Sequence, residues 1–575
     1  MIKNITPIVI IIIFSVLISL PLLKPGIFSM HDDQQIARLF VFDKALKDGQ
    51  FPIRWVSGLG FGYGYPLFVF YPPLIYMFGE IFHLFGFGYI DSIKLVFFSG
   101  ILFSGLSIYL LVKELWGKFS ATISALFYII VPYRALDLYV RGALAESFAF
   151  VWLPAILWSF YKLSKTQNSK YIYFSGLFLA LLMITHNLIF LPFATILIIL
   201  IIFLGSAAEN KILFIKQVFL GGAVGAGISA FFWMPALFEK NYTIVDSLLL
   251  VNLADYKIHF VYPQQLWNWP WGFGGSTAGL ADGISFKIGK LHIILALLSL
   301  IIAVARKNLA KRKLRLQSRG DNLIIIFFIL FAFSAFMTTF YSVFVWKMIP
   351  ALAYLQFPWR FLTFTALFSS VLAGALIHYL KLPVVKIVSA TILVILLLLP
   401  NLKLFRPQFY RTGLTDTIAT TRDAISWDVS LSSFEYLPKG VALYKSELGT
   451  NLVKIDKSQI PIRPIDTISG NPQITIQKNT TTTTQFEINS QTATVVKANI
   501  FNFPGWLLEI DGRQAAINDE NPLRLITFSV PKGIHSVKIV FGNTPTRLAA
   551  NYLSLLSILC FVVLVFKKWM TLNTH

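Results

Sequence analysis

Leu67-Phe-Val-Phe-Tyr71-Pro72-Pro73-Leu-Ile-Tyr-Met-Phe-Gly-Glu80-Ile-Phe-His83-Leu-Phe-Gly86 is the stretch whose reading decides the fold. It is apolar enough to pass for a membrane span, and whether it crosses sets the side of every later loop. Pro72-Pro73, Glu80 and His83 interrupt it, and the clean remainder falls short of the ~20 residues that a crossing helix needs. The basic residues arbitrate. Without a crossing here, the later apolar runs fall at 91–112, 118–133, 147–162, 171–186, 188–205, 212–236, 290–305, 322–346, 360–380, 386–400 and 547–566. Lys113 and Lys118, Lys162 to Lys170, Lys211 and Lys216, Arg306 to Arg319, Lys381 and Lys386, and Lys567 and Lys568 then share one side, as the positive-inside rule requires. With a crossing, the seven Lys and Arg residues from Arg306 to Arg319 move outside. The sequence therefore predicts twelve spans, counting Ile5 to Leu23, with both termini cytoplasmic and a juxtamembrane or re-entrant helix at 67–86.

Composition agrees with this class. Of 575 residues, 56% are hydrophobic and 13% charged, with 54 Phe and 13 Trp, and the mean hydropathy is +0.69. No soluble domain of this length carries such a load. The net charge of +22 would suit a nucleic-acid binder, but the basic residues lie in short clusters between apolar runs, which excludes that class. The single cysteine, Cys560, sits in the last apolar run and supports neither a disulfide framework nor a thiolate metal site. Ile5 to Leu23 is long enough to span about 28 Å and lacks a small-residue cleavage site, so it reads as a retained helix. Apolar residues at helical spacing from Ile36 to Trp55 predict an amphipathic helix on the membrane surface.

This topology gathers the unusual polar residues on one face. His31-Asp32-Asp33, the run from Tyr133 and Arg134 through Asp137 and Arg141 to Glu146, Thr185-His186-Asn187, and Gln356-Phe357-Pro358-Trp359-Arg360 all fall outside. The membrane domain is read as 1–400, with outer-face loops at 24–90, 134–146, 237–289 and 347–359. Trp267, Trp269 and Trp271 in the third loop suit an interfacial belt or a sugar- or lipid-guiding loop. From 401 to 546 period-two alternation replaces the long apolar runs, as in Trp506, Leu508 and Ile510 or Val537, Ile539 and Phe541. Asp511-Gly512 and Pro531-Lys532-Gly533 read as hairpin turns. These features predict an extracytoplasmic β-sandwich-like domain at 401–546, with a final helix and cytoplasmic tail at 547–575. Thr480 to Thr484 reads as an exposed loop or edge strand.

Several motifs resemble a known family. His31-Asp32, Gly49-Gln50-Phe51-Pro52, Gly62-Tyr63-Gly64-Tyr65-Pro66, Tyr71-Pro72-Pro73-Leu74, Asp137 to Ala143, Ala145-Glu146, His186-Asn187 and Gln356 to Arg360 are similar to the bacterial and archaeal membrane proteins labelled 6-pyruvoyl-tetrahydropterin-synthase-related. That label names small soluble zinc enzymes, and no His triad for zinc is evident here. In architecture the family resembles the GT-C glycosyltransferases. The resemblance implies a first outer loop with an acidic motif, matched by Asp32 or Asp33, juxtamembrane helices after it, and a second acid in the next outer loop, matched by Asp137 or Glu146. It further implies a sugar donor on a polyprenyl phosphate, an acceptor that is a glycan, lipid or protein, and a site at the outer face of the cytoplasmic membrane.

Such a transfer needs a carboxylate to take the proton of the acceptor hydroxyl, and Asp32, Asp33 and Glu146 are the catalytic candidates. Guanidinium groups bind phosphate oxygens as a fork, which suggests Arg141 and Arg360, with Arg134 behind them. His31, Asp137 and His186 complete the substrate-binding candidates. Each also has a plainer reading. Asp32 and Asp33 suit the N-terminus of the following helix, Asp137, Arg141 and Glu146 suit an internal ion pair, Arg360 suits an interface anchor, and His186 suits a packed polar residue. Paired acids would suit magnesium or manganese, although no spacing requires a metal. Two other functions fit the composition: a transporter or flippase of lipid-linked sugars, and a non-catalytic scaffold that holds an envelope polymer. The transporter is disfavoured because no internal repeat or pair of broken helices is evident.

Overall fold

The computed structural model describes residues 2–249, 255–312, 319–445 and 451–573. Ten helices among these are long and apolar enough to cross a membrane, or eleven if the bent pair Lys118–Ile129 and Pro132–Arg141 is one span. With the C-terminal sheets, they make the chain a polytopic helical membrane protein carrying a β domain. The expected span at 171–186 is an apolar helix of 16 residues, Lys170–Thr185. Residues 313–318 of the basic run lie outside the described part of the chain.

Tyr89–Trp116, Leu144–Thr166 and Pro358–Tyr379 are the enclosed helices. Small residues let them approach closely: Gly100 packs against Phe148, and the Ser107 hydroxyl donates to the carbonyl of Val151 at 2.7 Å. Pro383–Leu404 and Pro545–Phe566 show most of their apolar surface instead, as helices facing lipid do. The stretch 67–86 forms two short helices, Leu67–Phe70 and Leu74–Leu84, parted at Tyr71-Pro72-Pro73. Neither is long enough to cross.

Three expectations change. The helix after Asp33 runs only from Gln35 to Lys47, and Ile36, Arg38, Leu39, Phe42 and Asp43 are buried, so it does not lie exposed on a surface. The chain that follows Asn401 covers it: Arg38 donates to the Ser433 hydroxyl at 2.9 Å. Second, the span expected to end at 133 stops at Ile129, and 134–141 is no open loop. Pro132 cannot continue the first helix because it has no N–H, and it starts a second at a 40° bend. This runs into a π-helical turn, Asp137–Arg141, that ends at Gly142 with φ +65°. Every residue from 132 to 142 is buried. Third, Pro531-Lys532-Gly533 does not close a hairpin.

The reason lies in the sheet topology. One sheet orders its strands Arg513–Ala515, Trp506–Ile510, Gly533–Phe541, Thr483–Ser490, Gln473–Thr480, and the other Leu525–Val530, Thr494–Phe501, Ile465–Ser469. Residues 531–533 therefore carry the chain from one sheet to the other. Phe486, Ile488, Leu508 and Val537 of the first sheet and Val496, Ile526, Phe528 and Val530 of the second are buried and form the interior of the sandwich. Asp511-Gly512 does close a hairpin, with φ +51° and +75°, as a tight turn with two left-handed residues requires.

The sandwich is fused to the membrane part by the loop Gly58 to Pro66. Phe61 meets Trp427 edge-on at 5.9 Å between centroids, Tyr63 meets Phe501 at 5.2 Å, and Tyr65 meets Tyr436 at 5.9 Å. Trp55 contacts Trp506 and Phe541, each at 5.3 Å. Such pairs contribute about 0.5–1.5 kcal/mol each beyond their burial. Gly64, at φ +87°, lies on the Trp55 indole, and a Cβ there would stand 2.6 Å from the ring. Thr481, at the tip of a hairpin, donates its N–H to Asp48 at 2.6 Å, so the threonine run is a docking tip. Further back, the Asp416 carboxylate accepts the N–H groups of Tyr89 and Ile90 at 2.7 and 2.9 Å, satisfying the N-terminus of the central helix Tyr89–Trp116.

Candidate functional site

At the β-domain end of the bundle lies a cavity of about 540 Å³, within the range of small-ligand sites. Two walls face each other across it. One is built by the bundle: Arg141, Glu146, His186 and Arg360. The other is built by the chain between the helix Pro383–Asn401 and the sandwich, with Phe434, Glu435 and Tyr436, joined by Arg38 and Tyr71. Asp32 lines the cavity as well.

The bundle wall is an ion network centred on Glu146 and Arg141. Glu146 Oε1 accepts from the Tyr133 hydroxyl at 2.6 Å and from Thr363 at 3.1 Å. Its Oε2 accepts from Arg141 at 2.9 Å and lies 3.6 Å from Arg360 Nε. Arg141 also donates to Asp137 at 2.6 Å and stacks on Trp359 at 4.4 Å. All of these ionic groups are buried. Charges in such a place are tolerated only when paired and hydrogen-bonded. The π-helical turn brings Asp137 and Arg141 to one side while Gly142 redirects the chain into Leu144–Thr166, which delivers Glu146.

Asp32 is placed by its backbone. The N–H of His31 donates to Val140 at 3.0 Å and that of Asp32 to Arg141 at 2.8 Å, so the first loop is tied to the π-helical turn. Gly142 leaves room for Met30, and its carbonyl accepts from Gln35 at 3.2 Å. The Asp32 side chain, in contrast, is half-buried and has neither a hydrogen-bond donor nor a salt bridge among the described residues. Its charge acts on both Arg141 and Arg360. Arg360 donates to the Leu355 carbonyl at 2.8 Å and leaves its buried Nε without a hydrogen bond.

Of the other candidates from the sequence, His31, Asp33, Arg134 and Asp137 fall outside the cavity lining. Asp33 is exposed and paired with Arg411 at 3.4 Å. His31 reaches the Phe273 carbonyl at 3.1 Å. Asp137 and Arg134 lie behind the wall, Arg134 stacked on Phe150 at 4.5 Å and donating to Ser104 at 3.2 Å. His186 lines the cavity, and its Nδ1 accepts the Ile189 N–H at 3.1 Å, which places the proton of the neutral ring on Nε2. Arg38, Tyr71, Glu435 and Tyr436 were missed. The signal for Arg38 was its place between Ala37 and Leu39 on an apolar helix, and for Glu435 the triplet Phe434-Glu435-Tyr436.

Burial works against the charge of Arg38, but Tyr76, Tyr71 and Glu435 outweigh it and hold its pKa above the ordinary value. Burial also raises the Tyr71 hydroxyl. Away from the cavity, Glu80 shows what happens to an enclosed acid that has no guanidinium. Burial, with the Asp43 carboxylate beside it, pushes its pKa up to about 7.

Among the described residues no three His, Cys, Asp or Glu side chains come together to hold a metal ion. Asp137 and Glu146 both bind Arg141. With both acids engaged by one guanidinium, this pair does not fit magnesium or manganese.

No protein-family model matches this chain. None of the curated proteins matches it either. Among solved structures it is similar to the arabinofuranosyltransferase AftD from mycobacteria, at 13% identity and a TM-score of 0.41, over 70% of this chain and 27% of that one. It is also similar to the archaeal oligosaccharyltransferase AglB from Archaeoglobus fulgidus, in complex with an inhibitory peptide and a dolichol-phosphate, at 13% identity and a TM-score of 0.40, over 70% and 56%. The apo form of the Archaeoglobus fulgidus oligosaccharyltransferase gives 12% identity and 0.39, over 70% and 55%. This chain thus spans between about a quarter and just over half of the length of these proteins. Likenesses this loose leave the chemistry to the residues.

Proposed function

We propose that the protein is a membrane glycosyltransferase that moves a sugar from a polyprenyl-phosphate carrier to an acceptor hydroxyl or amide at the outer face of the cytoplasmic membrane. The observation that carries this reading is the Asp32 carboxylate, tied in place by its backbone yet without a side-chain donor, in a cavity with Arg141 and Arg360. A charge held so loosely beside guanidinium groups is suited to exchange a proton and poorly suited to brace a fold. The sequence resemblance to GT-C enzymes, which places an acid at this point of the first loop, points the same way.

The geometry supports the following roles. Asp32 takes the proton of the acceptor as the acceptor atom bonds to the anomeric carbon of the sugar. The bond from that carbon to the phosphate oxygen breaks, and its electron pair stays on the phosphate. Arg360, with an unused Nε, and Arg141 neutralise the charge that develops there. Glu146 touches neither partner in this scheme: it holds the two guanidiniums at their places and is a positioning residue.

The test is transfer by purified protein in detergent, offered a panel of polyprenyl-phosphate sugars and envelope acceptors. Wild type should transfer, and Asp32→Asn should lose ~10²–10⁴-fold in rate, the range of a general base, with unchanged thermal unfolding. Full activity in Asp32→Asn removes the assignment. Absence of transfer from every donor, together with passage of lipid-linked sugar across proteoliposomes, replaces the enzyme with a transporter.

A further inference from the structure

The linker wall has a feature that a mere cover would not need. Its backbone is fastened on every side. The Phe61 N–H donates to the Ser430 hydroxyl at 3.0 Å, the Tyr436 N–H to the Tyr65 hydroxyl at 2.8 Å, and the Ile244 N–H to the Leu437 carbonyl at 3.0 Å. Tyr436 stacks on Phe70 at 5.1 Å. In the middle of this fixed segment the Glu435 carboxylate, half-buried and lining the cavity, has no hydrogen bond among the described residues, and its nearest cation is Arg38 at 3.9 Å. Arg38 is 5% exposed, lies over Tyr71 at 4.3 Å, and keeps its buried Nε without a partner. An acceptor and a donor, each with unused capacity, thus stand side by side on a rigid frame, with the Phe434 ring lining the same wall. Unsatisfied polar groups on a rigid frame are costly unless a ligand completes them.

We propose that Arg38 and Glu435, with Phe434 as the apolar face, form a subsite for an uncharged pyranose ring. A carboxylate accepts from, and a guanidinium donates to, neighbouring hydroxyls, and the carbon face of a sugar packs on an aromatic ring. The two charges cancel, which matches a neutral sugar and opposes a uronate or sialic acid. Tyr71 carries Arg38 over its ring, and Asp32 lines the same cavity, so the subsite and Asp32 share one space. Resting on the transfer reading, the occupant is the acceptor sugar, whose hydroxyl is presented to Asp32.

Ligand-observed NMR on the full chain in detergent tests this, with methyl hexopyranosides and neutral disaccharides as probes and hexuronates as the charged comparison. The expected result is millimolar binding of at least one neutral glycoside, weakened tenfold or more in Glu435→Gln and in Phe434→Ala and changed less than threefold in Asp33→Asn, whose side chain lies outside the cavity. Where transfer is observed, Glu435→Gln should raise acceptor KM at least tenfold, leaving kcat and donor KM within threefold. Thermal unfolding identifies a variant that misfolds, and the other variant then decides. The proposal is overturned if no neutral glycoside binds wild type, if hexuronates bind better, or if both variants bind as wild type does. Glycoside binding that depends on Glu435 without any transfer would sustain the subsite and remove the transferase; transfer with acceptor KM untouched in both variants would do the reverse.

Discussion

The carboxylates at and behind the cavity surface are of two kinds, and the fold treats them in opposite ways. Asp137 and Glu146 are buried and bound to Arg141, with Tyr133 and Thr363 completing Glu146. Asp32 and Glu435 are half-buried on immobile backbone and accept no hydrogen bond among the described residues. Glu80 is a third kind, enclosed without a guanidinium, and it responds by taking up a proton. The difference separates acids that hold a shape from acids that wait for a partner.

Breaking the bundle wall should have the largest effect. Arg141→Ala leaves two buried carboxylates without their common cation and should cost about 3–5 kcal/mol, read as loss of monodisperse protein and of the unfolding transition in detergent. Arg141→Lys keeps the charge without the fork and should fall between the two. Next comes Asp32→Asn, which should abolish transfer and leave unfolding where it was. If Asp32→Asn instead destabilised the protein as much as Arg141→Ala, the distinction between the two kinds of acid would collapse.

Gly64→Ala tests the frame on which the linker wall depends. The added methyl would meet the Trp55 indole at 2.6 Å and force an L residue to φ +87°. A loss of about 1–3 kcal/mol is expected, visible as protease cleavage between the sandwich and the bundle at lower temperature.

Glu80→Gln gives a smaller and pH-dependent effect. Because its pKa is raised from 4.5 to about 7 in the folded chain, the folded state holds a proton that the unfolded state has released between those values. Stability therefore falls as pH rises through that window and stays lower above it. Unfolding temperatures of Glu80→Gln and wild type should coincide near pH 4 and favour the variant at pH 8. Asp33→Asn should do least, within about 0.5 kcal/mol and with no change in transfer, because its exposed pair with Arg411 is worth little.

The helices were legible because a bilayer demands long apolar runs, and 67–86 breaks into two short helices where its prolines stand. The sandwich was legible from alternation in Trp506 to Ile510 and Gly533 to Phe541. What the sequence concealed was partnership over distance. Nothing local shows that Phe61, Tyr63 and Tyr65 are teeth that fit residues 427, 501 and 436, or that the Pro531 turn changes sheets. The cavity was half visible. Residues beside a break in an apolar run, such as Asp32, Arg141 and Arg360, stood out as polar groups at a boundary, whereas Arg38 and Glu435 belong to segments whose packing is set by each other. Asp32 and Asp33, neighbours in sequence, could not be told apart there; in the fold Asp32 lines the cavity and Asp33 is exposed and paired with Arg411.

The bond from Phe61 to Ser430 joins residues 369 positions apart. During synthesis, at about 5–20 residues per second, the tyrosine loop is made roughly 20–70 seconds before its mate. Through that interval its aromatic comb has nothing to close on, and the half-built cavity has only one wall. The protein's timetable is thereby written into its contacts: the tyrosine loop stays unpaired until its partners, from Trp427 to Phe501, have been made.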